Sequence, residues 1–426
     1  MTDPDRDRLE DDSTSIGEAI AVLEAELGSI DRTETVPVDE AVGRVLAEPV
    51  PAARNLPHYR RSERDGYAVR ALDTTGASET DPVVLVMTDD ARGAGERTLG
   101  SGETSYVHTG SAVPEGADAV VMVENVTESS DGESPPDADG QTGTGIEIES
   151  PVESGAYVTP LGADLEAGSR LFEAGHRLRP GDLGVLTVAG VDEIDAVDLP
   201  TVAVIPTGEE LVQTDPGPGE AIETNGLVGS ALVEHWCGRA RYRDVVTDDP
   251  SALRTALERD LDADLIVTSG GSSVGSRDLL PTVVANRGEV LVRGLALRPG
   301  QSASLGVVSG TPIAMLPGTP IASLVVAWLL VRPALTTAVG TRDTEPPTVQ
   351  ATLETDLEST VGRRTVHGVS LEDSGGQTEK LAARSAERGG LPSLARIDGW
   401  VQVEESASER TVGEIVPVER WGQSSC

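Results

Sequence analysis

The chain runs to 426 residues with a formal charge of −39, from 72 Asp and Glu against 33 Lys and Arg, and holds one Phe, five Tyr and four Trp. So acidic a surface cannot neutralise a polymer's phosphates, and so few rings cannot stack successive bases, which excludes nucleic acid as a partner. At ~150 residues per domain the length suggests roughly three domains, each large enough for its own core.

Lys380 is the sole lysine; all the other Lys and Arg positions are arginine. Surplus surface carboxylate keeps a protein hydrated where concentrated salt screens the self-repulsion, so the charge reads as salt adaptation. The 38% apolar content, arranged in periodic segments, argues against a disordered chain. A fold that needs molar salt loses its circular dichroism on dilution; equal stability in dilute buffer would contradict this reading.

Residues 1 to 12, MTDPDRDRLEDD, lack the basic and apolar regions of a signal peptide. Ser15 followed by Ile16, Ile20, Leu23 and Leu27 predicts a first helix. Val38, Val42 and Val45 after Pro37 predict a short second one. From 83 to 123, short apolar stretches between glycine turns predict a small β-rich domain. Residues 127–145 offer no large apolar side chain to bury and read as an exposed loop or disordered insertion. Alternation resumes at Ile146-Glu147-Ile148, and Pro180-Gly181-Asp182 opens a short helix ending at Gly190.

From Thr201 the rhythm is strand, loop, amphipathic helix. Strands are expected at 202–205, 245–246, 265–267 and 313–316, with helices at 224–236, 250–261, 279–285 and a long one ending near Leu335. That alternation predicts a parallel sheet covered on both faces, with ligands at the carboxyl ends of the strands. Beyond Pro346-Pro347, residues 349–353 and 400–403 alternate as a small C-terminal β-domain. The longest apolar run, 321–331, falls short of the ~20 residues that span a bilayer, so no membrane is expected and the chain reads as soluble and cytoplasmic. Cys237 and Cys426 make neither a disulfide framework nor a structural zinc set, and five histidines show no HxxxH spacing.

Strand 265–267 ends in Thr268-Ser269-Gly270-Gly271-Ser272-Ser273-Val274-Gly275. Its backbone N–H groups can converge on a phosphate, or its glycines can simply serve a tight turn. Glu210, Asp248 and Asp278 fall at the same expected sheet edge, where carboxylates can hold a hard cation such as Mg²⁺ beside ligand phosphates. A second constellation is Arg298-Pro299-Gly300-Gln301, able to bind an anion through Arg298, followed by Leu316-Pro317-Gly318-Thr319-Pro320, which delivers a helix N-terminus.

Five stretches in order carry a family resemblance: Arg64-Asp65-Gly66-Tyr67-Ala68-Val69; residues 109–121, TGSAVPEGADAVV; Thr207-Gly208-Glu209-Glu210-Leu211; Ser269-Gly270-Gly271-Ser272-Ser273-Val274-Gly275; and Leu316-Pro317-Gly318-Thr319-Pro320. They resemble the molybdopterin molybdenumtransferases, MoeA-like proteins and the gephyrin E domain, from about residue 15 to about residue 421. The resemblance implies a multidomain α/β protein: a central parallel α/β sandwich domain at 199–343, a helical linker domain at 13–57 with 150–198, an inserted small β-rich domain at 58–149, and a C-terminal β-barrel-like domain at 346–426.

It also implies a homodimer that takes adenylylated molybdopterin and molybdate, with Mg²⁺, and releases AMP. The family's site lies between the α/β domain of one subunit and the DGYA and VPEG regions of the other. By motif match, Asp65, Asp278 and Arg298 take catalytic positions. Asp65, Glu210 and Asp278 hold the metal, while Thr109, Asp164, Glu210, Asp248, Gly270, Gly271, Ser273, Pro317, Pro320 and Ser393 bind substrate. Departures accompany the match. Where the family carries K-L-A-I-K-P-G-K, this chain reads Gly294-Leu295-Ala296-Leu297-Arg298-Pro299-Gly300-Gln301, and Ser62-Glu63-Arg64 precedes Asp65. The lost lysines leave open a non-catalytic molybdopterin-binding paralogue; a tungstate-specific insertase is a further alternative.

Overall fold

The computed structural model describes residues 13–88, 98–128, 144–270, 279–341, 345–373, 381–385 and 391–420. Asp278, Gly271, Ser273, Lys380 and Cys426 lie outside them. The chain divides into two compact units, one of Met1–Glu48, Glu173–Pro180 and Ile194–Cys426, the other of Pro49–Phe172 and Gly181–Glu193.

In the first unit, Val202-Ala203-Val204-Ile205 is apolar without a break because it is buried on both faces. Side chains alternate across a strand. Val202 and Val204 therefore enter one core with Val233, Trp236 and Leu324, while Ala203 and Ile205 enter a second with Leu253, Leu257 and Leu280. The six-stranded sheet runs in the order Arg239–Tyr242, Thr201–Pro206, Leu265–Ser269, Thr311–Leu316, Ser304–Val308, Gly288–Arg293. Its first four strands are parallel. The last two are antiparallel, which sequence periodicity had not shown.

Helices Asn225–His235, Pro250–Arg259 and Leu279–Ala285 fall where expected. The long helix spans Pro320–Ala338 and is apolar enough in length and composition to cross a membrane, yet 78% of its most apolar window is buried in the core. The first helix, Ile16–Leu27, is closed by a capping box between Ser15 and Glu18 and packs Ile16, Ala19 and Leu23 into the same core.

Two expected elements differ. The segment after Pro37 is a single 3₁₀ turn, Val38–Glu40, and not a helix through Val45. Residues 245–246 make only an isolated bridge, Thr207 with Val246, and the edge strand is Arg239–Tyr242. That strand escapes an apolar pattern because arginines line it and its far end. Arg241 pairs with Asp262 at 2.8 Å, and Arg243 Nε donates to the fully buried Asp260 at 3.0 Å.

Five C-terminal strands close a barrel: Arg364–Asp373, Leu381–Ser385, Thr348–Leu353, Ile415–Glu419 and Gly399–Val403, the last pairing back onto the first. Val366, Ile397 and Trp400 share the α/β core, and Trp328 Nε1 donates to Glu419 Oε2 at 2.9 Å, so this part of the barrel and the helix layer pack as one body.

The second unit carries a six-stranded sheet in the order Ala119–Met122, Gly66–Val69, Glu103–Val107, Val83–Met87, Gly145–Ile148, Val126–Glu128. Thr127, Glu128 and Gly145 therefore belong to strands and not to the expected loop, whose remaining stretch from 129 to 143 lies outside the described residues.

Candidate functional site

Within the first unit, three strand ends meet at the carboxyl edge of the sheet. Thr207 N donates to Ser269 O at 2.8 Å and Gly270 N to Leu316 O at 3.3 Å, tying the ends of the strands from 201, 265 and 311. Asn225, first residue of its helix, donates from Nδ2 to Ser269 Oγ at 2.9 Å and to Gly318 O at 2.8 Å. Ser269 Oγ reaches Pro317 O at 3.3 Å, and Pro320 lines a crevice with Asn225, Ser269 and Ser323. Gly270 and Pro317 thus join one network with Ser269, which opens the glycine-rich motif but was given no role of its own, and with Asn225, which no motif contained.

Glu210 and Asp248 also come together. Burial, then the charges of Glu210 and Glu209, push the Asp248 carboxyl above its ordinary value, against a hydrogen bond from the Glu209 N–H. Its Oδ1 is buried and, among the described residues, has no hydrogen-bond partner; the same holds for Oγ1 of Thr207. An oxygen-only donor set with an orphaned carboxylate atom suits a hard divalent cation. Among the described residues, however, no three His, Cys, Asp or Glu side chains form a complete metal-holding group. Of the three residues expected to bind metal, Glu210 lies here, Asp65 belongs to the second unit, and Asp278 is outside the described residues.

Arg298 stands apart, on a two-residue strand beside the barrel's Arg364–Asp373, where it lies opposite Thr365. It lines a cavity of about 390 Å³ with Pro299, Ser359, Thr360, Thr365 and His367. Glu358 also contributes to the wall, and its backbone carbonyl is engaged by His367 Nε2 at 2.9 Å. One exposed guanidinium and the hydroxyls of Ser359, Thr360 and Thr365 can hold a tetrahedral oxyanion. Ser393 is fully buried in the 3₁₀ segment Leu391–Arg396.

In the second unit Asp65 and Thr109 meet directly, for Thr109 N donates to Asp65 Oδ1 at 2.6 Å. That bond, then one from the Thr109 side chain, holds the exposed Asp65 carboxyl below its ordinary value, with His108 adding a smaller charge effect. The two loops are braced: Gly110 N donates to Ser62 O at 2.8 Å and Tyr59 OH to Gly110 O at 3.0 Å. Asp164 is exposed beside the bridge between Leu56 and Leu165, its N–H donating to Leu56 O at 2.9 Å.

Residues 14–190 match the family model of the MoeA N-terminal region, domains I and II, and residues 203–337 match a probable molybdopterin binding domain. The chain is 31% identical over 406 residues to molybdopterin molybdenumtransferase 2 of Mycobacterium tuberculosis, covering 92% of this chain and 96% of that one. It is 30% identical to a molybdopterin molybdenumtransferase of Nostoc, covering 88% and 85%. A solved molybdopterin biosynthesis moeA protein of Pyrococcus horikoshii superposes with a TM-score of 0.80 at 30% identity, over 96% of this chain and 99% of that chain. The braced Asp65 loop, the carboxylate-bearing sheet edge and these full-length similarities converge, and the chain belongs to the molybdopterin molybdenumtransferase family of molybdenum cofactor biosynthesis.

Proposed function

We propose that this protein inserts molybdate into adenylylated molybdopterin, releasing AMP and forming molybdenum cofactor. The observation that carries the reading is Asp248 Oδ1, buried beside Glu210 at the sheet edge and without a hydrogen-bond partner among the described residues, an arrangement that makes sense when a cation or a ligand donor completes it. Glu210 and Asp248, with Asp65 and Asp278 by motif, are the residues that would hold Mg²⁺. Held there, a cation would supply charge neutralisation for the nucleotide's phosphates.

The chain's own groups do the rest. The network of Asn225, Ser269, Gly270 and Pro317 fixes the strand ends that would flank a ligand phosphate, with Gly271, Ser273 and Pro320 assigned to contact it by motif. Asp65, ionised through its bonds from Thr109, presents a full negative charge to a donor or cation. Arg298 holds the oxyanion in its cavity. Asp164 and Ser393 complete the assigned substrate contacts. We assign the working form to a cytoplasmic, salt-requiring homodimer, with the four domains bounded as the sequence implies.

Arg298→Ala is expected to raise the half-saturating molybdate concentration in AMP release about tenfold or more, the worth of a charge-assisted contact, with Arg298→Lys recovering part of it. An unchanged molybdate dependence would remove Arg298 from the site. The competing reading, a pterin-binding paralogue without turnover, draws on Gly294 and Gln301 standing where the family pattern has lysines; use of tungstate is tested by exchanging the oxyanion.

A further inference from the structure

The second unit contains an aromatic ladder that none of the assigned roles uses. Tyr67 and Tyr106 lie directly opposite each other on antiparallel strands, their rings 5.3 Å apart and edge to face. His108, two residues beyond Tyr106, continues the ladder at 5.0 Å and 79°. Tyr67 is buried and anchored through its OH to Glu128 Oε1 at 3.2 Å. Tyr106 is 39% exposed, and the His108 side chain is 77% exposed. The ladder therefore rises from the core to solvent and ends 4.0 Å from Asp65, His108 Nδ1 to Oδ1.

We propose that His108, buttressed edge to face by Tyr106, offers the stacking face for a flat heteroaromatic ring carried beside a phosphate, and that this ring is the adenine of the substrate's adenylyl group. The inference rests on the proposed function for the identity of that group. Its physical basis is local. Edge-to-face packing leaves ring faces unoccupied, and an exposed His108 touched on one side by Tyr106 has a face to offer. The ring sits on a rigid base: Ser111 donates to His108 O from N at 3.0 Å and from Oγ at 2.6 Å, and Thr109 N is held by Asp65. A platform already ordered loses little entropy when a ring settles on it. Arg64, exposed and adjacent in sequence to Asp65, carries positive charge into the same braced loop, where Ser62 Oγ donates to its carbonyl at 2.6 Å. Arg64 and the ionised Asp65 put both charges in this loop, so the open ring is what selects the ligand, and a flat heteroaromatic ring whose phosphate meets Arg64 or a cation at Asp65 fits it better than an isolated oxyanion or an apolar ligand.

Calorimetric titration of the full chain in concentrated KCl with AMP and with ribose 5-phosphate separates the ring from the phosphate. AMP is expected to bind about tenfold more tightly than ribose 5-phosphate, and His108→Ala to lose about that factor for AMP alone. Tyr106→Ala acts in the same direction, and His108→Phe, which keeps a ring, retains AMP affinity. Because His108 is a surface residue, its variant stays folded even where Tyr106→Ala does not, and circular dichroism checks this. Undetectable AMP binding by the wild type, unchanged AMP affinity in His108→Ala, or equal losses for both ligands would overturn the platform. A loss confined to 6-hydroxymethylpterin, with AMP unaffected, would overturn the assignment to adenine. AMP binding that depends on His108, without AMP release from adenylylated molybdopterin, would leave the platform standing and refute the proposed function; release with unchanged AMP affinity in His108→Ala would do the reverse.

Discussion

Gly270→Ala is expected to cost about 3–5 kcal/mol of folding stability and to abolish AMP release. Gly270 has φ +104°, a conformation that side chains rarely adopt, and a Cβ there would sit 1.9 Å from the Thr207 carbonyl oxygen and 3.0 Å from Thr207 Oγ1. The obstruction is backbone, so no rotamer change relieves it. Thr207 cannot retreat either, because its N–H donates to Ser269 O at 2.8 Å and its residue is buried. The remaining relief is to part the strands Thr201–Pro206 and Leu265–Ser269 where the candidate site is built. Guanidinium denaturation in concentrated KCl measures the cost; a loss below about 1 kcal/mol would show that the edge is looser than the structure implies.

Asp248→Asn is expected to do two opposite things: raise the melting temperature at neutral pH in a chelator, and lower AMP release about a hundredfold or more. Burial and the neighbouring Glu210 and Glu209 raise the Asp248 carboxyl in the fold. A carboxyl protonated more readily when folded contributes its stability in full below the ordinary carboxyl range and loses it as pH rises through the raised value. At neutral pH the ionised group is therefore a net liability, which asparagine removes. A divalent cation should cancel that liability in the wild type, so Mg²⁺ raises its melting temperature and leaves Asp248→Asn unmoved. Melting curves with and without Mg²⁺ at neutral pH and near pH 4 check both signs. A wild type indifferent to Mg²⁺ would remove Asp248 and Glu210 from cation binding.

Much of the α/β architecture was legible because burial on both faces leaves a continuous apolar trace, as in Val202-Ala203-Val204-Ile205, and because Pro250 and Pro320 mark helix starts. The edge strand Arg239–Tyr242 was not, since an edge is half solvated and this one satisfies its arginines with aspartates. The antiparallel pair Gly288–Arg293 and Ser304–Val308 escaped for a different reason: alternation shows strand character but not direction, and neither segment is flanked by a helix on both sides. Barrel closure depends on the pairing of Gly399–Val403 with Arg364–Asp373, a long-range contact with no local signature.

At the candidate site, motifs named Asp65 and Thr109 separately, 44 positions apart, and the bond that joins them exists only in the folded sheet. The meeting of Glu210 and Asp248 was expected from strands ending at one sheet edge, but the burial of Asp248 and the added charge of Glu209 were not. Composition made its own contribution. With one lysine in the chain, and that one at position 380, every cation near Asp65 or in the Arg298 cavity must be arginine or histidine. Arginine binds an oxyanion through a planar fork and not as a point charge, so the site's geometry, beyond its net charge, differs from a lysine-lined one.

The most direct measurement incubates the purified full chain in concentrated KCl with adenylylated molybdopterin, Mg²⁺ and molybdate, and follows AMP release together with molybdenum transferred to the pterin. The predicted result is AMP release that requires both Mg²⁺ and the oxyanion and matches the molybdenum incorporated. Tight binding of the adenylylated pterin without AMP release under those conditions would contradict the transferase reading and leave a molybdopterin-binding protein in its place.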